Sequence, residues 1–347
     1  MSDQTIDSAT SKSGRQSRFA LHDMILIAIW LIVTFTLILM LWNGVRDTGQ
    51  FRVQRYMLQM AYVAALLWYL NRTGSILNQL PKFSRSLWTG SIILRLIPVI
   101  GLVTLFLLIA FSDEGLNILL LFMIIATIWI LVAWRREIRL RLVVQGLALA
   151  VLALLGGLLI LKNGFATKSF IVLFSVFLPP MFMAGELLIN HTRLGGSQLH
   201  TGRYGKVLMS FLWGCLLFVL LGLSNAASGS PGSGITWVTK GWMPLVLPVF
   251  SGIAEEIWFR FLLIGLCFFL LRPAFRTRPV VAVLAAVLFS AITFGLGHGR
   301  TLDKFLTTGL LYGLPMAIIY VKRDLEHVIG AHYMVNMIPW LMVFLNT

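Results

Sequence analysis

The sequence predicts an all-α fold: a polytopic transmembrane helical bundle of about 11 spans (range about 9–12) with a cytoplasmic N-terminus. Three observations predict it. Hydrophobic residues make up 58% of the 347-residue chain and charged residues only 12%, about half the charged share of an ordinary soluble domain. Mean hydropathy is +0.88. The apolar residues also gather into runs long enough to cross a bilayer, separated by short charged or Gly/Pro/Asn-rich breaks. The formal charge of +15 does not imply nucleic acid as a partner. Most of the 28 Lys and Arg lie in the breaks, where they orient the chain and meet membrane lipid.

In chain order, residues 1–23 read as a polar cytoplasmic tail. The first apolar run, Met24–Trp42, follows Lys12, Arg15 and Arg18 as a signal peptide would. It is long for a signal segment, and Asn43-Gly44-Val45-Arg46 offers no small-x-small cleavage site, so it is expected to remain as a span. The predicted helices are 24–42, 56–70, 91–111, 116–134, 142–161, 169–189, 207–223, 243–271, 279–294, 305–321 and 327–345. Residues 24–223 form an N-terminal transmembrane region of unassigned role. Ser224–Gly234 is rich in Ser, Gly and Ala and contains Pro231, so 224–241 is expected to be an outer loop. Residues 242–347 form a second transmembrane core. With the N-terminus inside and the spans alternating, cytoplasmic segments hold more than twice as many Lys and Arg as outer ones, which predicts a C-terminus outside. Cys215 and Cys267 fall within apolar runs and read as small buried hydrophobes rather than a disulfide or metal pair.

The chemistry gathers in the second core. Glu255 and Glu256 stand side by side in the run Trp242–Leu271, whose only other charge is Arg260. An ionisable group at mid-membrane costs roughly 2.5–3.5 kcal/mol on insertion scales, so this pair calls for a reason. On a helix Arg260 lies about 40° round from Glu256 and about 140° from Glu255. Glu256 and Arg260 can therefore pair along one face, leaving Glu255 without a cation of its own. A carboxylate out of water and beside another is suited to general acid or base work. His298 ends the next run inside Gly295-Leu296-Gly297-His298-Gly299, where glycines allow close backbone approach. His332 and Asn336, four apart, share one face of the last run. Each of these also has a plain reading, as an ion pair, an interfacial histidine or an interhelical hydrogen bond. Glu186 reads as snorkelling or capping a helix end, His327 as interfacial, and Gly309-x-x-x-Gly313 as a close helix contact. Asn71-Arg72-Thr73 and Asn190-His191-Thr192 match the glycosylation pattern but fall on the predicted cytoplasmic side. Nucleotide-loop, His-Glu-x-x-His and Gly-x-Ser-x-Gly patterns are absent from the sequence.

Taken in order, Glu-Glu-x-x-x-Arg at 255–260, Phe-x-x-x-His at 294–298 and His-x-x-x-Asn at 332–336 resemble the CAAX protease and bacteriocin-processing (CPBP, or Abi) family. That family includes the type II CAAX prenyl endopeptidases, and the likeness covers roughly Trp242 to the C-terminus. It implies an intramembrane endopeptidase in a membrane such as the bacterial inner (plasma) membrane, acting on a membrane-associated peptide or protein. The implied catalytic residues are Glu255, His298, His332 and Asn336, with Glu256 and Arg260 in support. Glu255, helped by His298, would activate water, and His332 and Asn336 would stabilise the oxyanion. Members have been described as glutamate-dependent proteases and as metalloproteases. The residues favour the first; in the second His298, His332 and Glu255 would hold a zinc ion. The resemblance does not identify a prenylated substrate. Two other functions compete: a non-catalytic immunity or scaffold protein of the same fold, and a proton- or cation-coupled transporter using the glutamate pair. Depth is a difficulty for all of them. Counted from Pro248, Glu255 lies about 10 Å deep near the outer side, whereas His332 enters from the cytoplasmic side, so the two are not expected to meet in straight helices.

Overall fold

Segments that are apolar around their whole circumference can satisfy their backbone in lipid only as helices or closed barrels. In the computed structural model they are helices. The structure describes Tyr62, Leu66 and residues 92–112, 114–162, 168–227 and 240–345, with no strand among them. The predicted tail, the span 24–42, nearly all of 56–70, Asn71-Arg72-Thr73 and most of the 224–241 loop lie outside the described residues. The elements are α1 (Ile92–Phe111), α2 (Gly115–Ala133), α3 (Leu140–Lys162), α4 (Lys168–Thr192), α5 (Tyr204–Ala227) and α6 (Met243–Glu256), which runs through a π-helical segment (Ile257–Leu262) into α7 (Leu263–Leu271). There follow α8 (Pro279–Gly297), a π-helical segment (Phe305–Gly313) that leads into α9 (Leu314–Lys322), and α10 (Leu325–Leu345). Seven stretches are long and apolar enough to cross a membrane: Gly115–Ala133, Leu140–Leu158, Leu173–Thr192, Tyr204–Ala226, Pro279–Gly297, Phe305–Lys322 and Leu325–Leu345. The continuous rod α6–α7 adds the run that carries the glutamates.

Small residues set how closely the helices approach, as expected where lipid gives no hydrophobic drive for helix association. A side chain at Gly214 would overlap the His327 carbonyl, and one at Gly330 the Phe211 carbonyl, so α5 and α10 lie almost backbone to backbone. They run parallel, because Gly222 further along α5 meets Met334 and Ile338 further along α10. The rod runs antiparallel to α10: Gly241 faces Phe344, and Gly252 faces the Ile329 carbonyl and Tyr333. Gly309 and Gly313 both face the Ala291 carbonyl on α8, the close contact expected from their spacing.

One boundary differs from expectation. The expected loop start at Ser224 falls inside α5, which continues to Ala227. Tertiary contact overrides the weak local propensity there: Ser224 is buried, and Asn225 Nδ2 donates to the Val335 carbonyl at 3.2 Å.

Glu186 also departs from its reading. It is 1% exposed rather than snorkelling, with Oε2 3.3 Å from His200 Nδ1. The α4–α5 connection folds back and is tied down by the start of α10. Glu326 accepts hydrogen bonds from Ser197 Oγ (2.7 Å) and from the Gln198 and Leu199 amides (2.9 Å each). Asp324 accepts from Gln198 Nε2 at 3.0 Å, Ser210 Oγ at 3.2 Å and the His327 amide at 2.9 Å. His327, expected to be a plain interfacial residue, adds its Nδ1 to Asp324 Oδ1 at 2.7 Å. Burial pushes the Asp324 carboxyl up, but the His327 bonds and charge, with the Gln198 bond, outweigh burial and hold it below the usual carboxylate range. A depressed carboxyl stabilises the fold above its unfolded value of about 3.9, and that contribution is lost as pH falls through the folded value. In thermal unfolding of the solubilised protein, Asp324→Asn is therefore expected to start less stable at neutral pH and to lose less on acidification than the parent. Parallel acid profiles for the two proteins would contradict this.

Candidate active site

The glutamates sit where the rod changes its winding. Glu256 is the last residue of α6, and Ile257–Leu262 continue as π-helix. Such bulges shift carbonyls off the α-helical ladder and are frequent at functional sites. Here Ser290 Oγ, on the facing α8, donates to the Phe259 carbonyl at 2.6 Å.

Arg260 is fully buried. Its Nε lies 3.3 Å from Glu256 Oε2, and its guanidinium carbon sits 4.0 Å from the Phe294 ring centroid. Neither Nε nor Glu256 Oε2 makes a well-directed hydrogen bond, so the pair is held by charge and by the aromatic face more than by donor geometry. The other oxygen of Glu256 faces α10: His332 Nδ1 lies 2.6 Å from Glu256 Oε1, across 76 residues of sequence. Phe294 also stands edge-on to His332, with ring centroids 5.8 Å apart, and sits 4.6 Å from the His298 ring. The phenylalanine of the Phe-x-x-x-His spacing is thus the packing centre of the site.

Glu255 turns the other way. Its Oε2 lies 3.7 Å from His298 Nε2 and 3.9 Å from His332 Nε2, and is buried without a hydrogen-bond partner. Both histidines are oriented from behind. His298 Nδ1 lies 2.9 Å from the Phe294 carbonyl, which can only accept, so this nitrogen carries a proton and Nε2 faces Glu255. The His298 side chain is 40% exposed and that of Glu255 is 15%, so the site opens at the C-terminal end of α8.

Asn336, one turn after His332, donates from Nδ2 to Ser251 Oγ at 2.9 Å. Ser251 and Ser290 were not singled out in the sequence. Ser251 precedes Glu255 by four residues and Ser290 precedes Phe294 by four, so helical spacing was the available signal for both.

Glu255, His298 and His332 therefore meet, contrary to the depth count. That count began at Pro248, whereas α6 begins at Met243. Pro244 falls in its first turn, where no backbone donor is needed, and Pro248 is accommodated within the helix. Glu255 is then about 18 Å along the rod, deep enough to reach His332 about 10 Å along α10.

The donor set suits zinc in kind: two imidazoles and a carboxylate, with each imidazole's other nitrogen held by a carbonyl or carboxylate. Among the described residues no three His, Cys, Asp or Glu are drawn together as a metal-holding group as they stand, the Glu255 oxygen lying 3.7 and 3.9 Å from the two imidazole nitrogens.

Residues 237–338 match the family model of type II CAAX prenyl endopeptidase, Rce1-like. No curated protein and no solved structure matches the chain. The matched segment holds Glu255, Glu256, Arg260, His298, His332 and Asn336, and over these residues the chain is similar to the CAAX protease (CPBP) family.

Proposed function

We propose that the chain is an intramembrane endopeptidase that hydrolyses a peptide bond in a membrane-associated peptide or protein. One observation carries the reading: a buried carboxylate oxygen of Glu255 without a hydrogen-bond partner, facing His298 Nε2 across 3.7 Å. That gap is too long for a direct hydrogen bond and wide enough for a water to touch both atoms. Such a water donates one proton to Glu255 and the other to His298 Nε2, leaving a lone pair for the scissile carbonyl. Glu255 takes the proton as the water attacks and returns it to the leaving amine.

Negative charge then grows on the carbonyl oxygen, and His332 and Asn336 are the donors for it. His332 can donate from Nε2 when both ring nitrogens carry protons, with Glu256 accepting from Nδ1. Glu256 and Arg260 act behind it, the guanidinium balancing the carboxylate and the carboxylate orienting the ring. No step passes through a metal, and the substrate is a peptide near the bilayer whose lipid modification the site does not specify. The surrounding lipid is the other partner, and a bacterial plasma membrane is the proposed location.

His298→Ala is expected to lower kcat on a membrane-anchored peptide by about 10²–10³-fold with the fold retained. Activity of the parent is expected to survive exhaustive chelation, with less than one equivalent of zinc in the purified protein. Loss of activity on chelation and its return with zinc would overturn the metal-free mechanism.

A further inference from the structure

We propose that Ser251 is a positioning residue: it holds the side-chain amide of Asn336 with its nitrogen toward α6, so that an N–H rather than the amide oxygen meets the developing oxyanion. This rests on the reading of Asn336 as an oxyanion donor. Ser251 has one proton to give, and its Oγ donates to the Pro248 carbonyl at 3.3 Å. What it presents to α10 is therefore a lone pair. An amide oxygen would be repelled there, whereas Nδ2 of Asn336 donates to it at 2.9 Å. One N–H of the amide is thus fixed on Ser251, and the second is free for substrate.

Two further contacts join α6 and α10 around this one. Gly252 of α6 faces the Ile329 carbonyl and the Tyr333 backbone, where an added Cβ would stand at ordinary contact distance, 3.4–3.6 Å away. The Tyr333 hydroxyl donates to the Leu245 carbonyl at 2.9 Å, a second tie between the same two helices. Ser251 and Glu255 are four residues apart on one face of α6, so the residue that sets the amide and the proposed base lie on successive turns of the same face. Without the serine hydroxyl nothing in this contact distinguishes the two ends of the amide, and a turned-over amide places an oxygen against negative charge.

The test measures cleavage of a membrane-anchored peptide by Ser251→Ala, Ser251→Thr, Asn336→Ala and the Ser251→Ala/Asn336→Ala pair in the full chain. Ser251→Ala is expected to lower kcat about tenfold with KM within about twofold, less than the loss of a whole oxyanion donor. Ser251→Thr, which keeps the hydroxyl, restores kcat. In the Asn336→Ala background Ser251→Ala costs nothing further, as expected for residues acting through one contact. The amide signals of Asn336 in ¹⁵N-asparagine-labelled protein, identified by their loss in Asn336→Ala, shift and exchange faster in Ser251→Ala. Unchanged kcat, a full additive loss in the double variant, or unmoved amide signals each overturn the proposal. If Glu255→Gln abolishes cleavage while Ser251→Ala leaves it intact, the positioning proposal alone fails. If neither Glu255→Gln nor Asn336→Ala affects cleavage, the hydrolase reading fails and takes this proposal with it.

Discussion

Glu255→Gln is expected to reduce kcat for a membrane-anchored peptide by about 10³-fold or more, while the thermal unfolding midpoint stays close to that of the parent. Glutamine keeps the shape of the side chain and a carbonyl oxygen toward the histidines, but it cannot take a proton from water. Stability should change little, because among the described residues Glu255 makes no salt bridge to Arg or Lys, and the histidines that face it stand off at 3.7 and 3.9 Å. The contrast with Glu256 is sharp. Glu256 is fully buried between Arg260 and His332, so its removal is expected to damage both fold and activity. Cleavage by Glu255→Gln within tenfold of the parent would remove Glu255 from the chemistry.

Arg260→Leu is expected to produce the largest loss of stability, about 3–5 kcal/mol, the usual result of stranding one member of a buried ion pair. Both side chains are fully buried, and the guanidinium is pinned between Glu256 and the Phe294 face. With leucine in its place Glu256 keeps only His332 as a partner. Adding Glu256→Gln to Arg260→Leu is expected to recover part of the stability, since the stranded charge is gone, but not the activity, since His332 loses the carboxylate behind it. Unfolding midpoints in mild detergent, read beside cleavage rates, separate the two effects. An Arg260→Leu protein as stable as the parent would show that the pair is not the structural centre of the site.

The transmembrane class followed from composition and run length, because a segment apolar on all sides has few ways to satisfy its backbone in lipid. The pairing of Glu256 with Arg260 was legible for a similar reason: a separation of four on a helix is a local matter, and it appears at 3.3 Å. Ordered spacing also singled out His298, His332 and Asn336. The end of α5 lies beyond its expected position because its last turn is stabilised by α10 rather than by its own residues. Glu186 is buried rather than snorkelling because the connection that covers it is tied down by Asp324 and Glu326, far along the chain.

By itself, then, the sequence determined that this is a membrane-embedded helical bundle and which polar side chains stand inside it. The tertiary structure alone decided which atoms face one another. The Glu256–His332 contact joins residues 76 apart, and the Asn336–Ser251 contact joins residues 85 apart across α6 and α10. Helical periodicity fixes direction around one axis only. The depth at which two axes meet depends on where each helix begins and on the small residues that let backbones touch, and these are properties of the packed pair rather than of either segment.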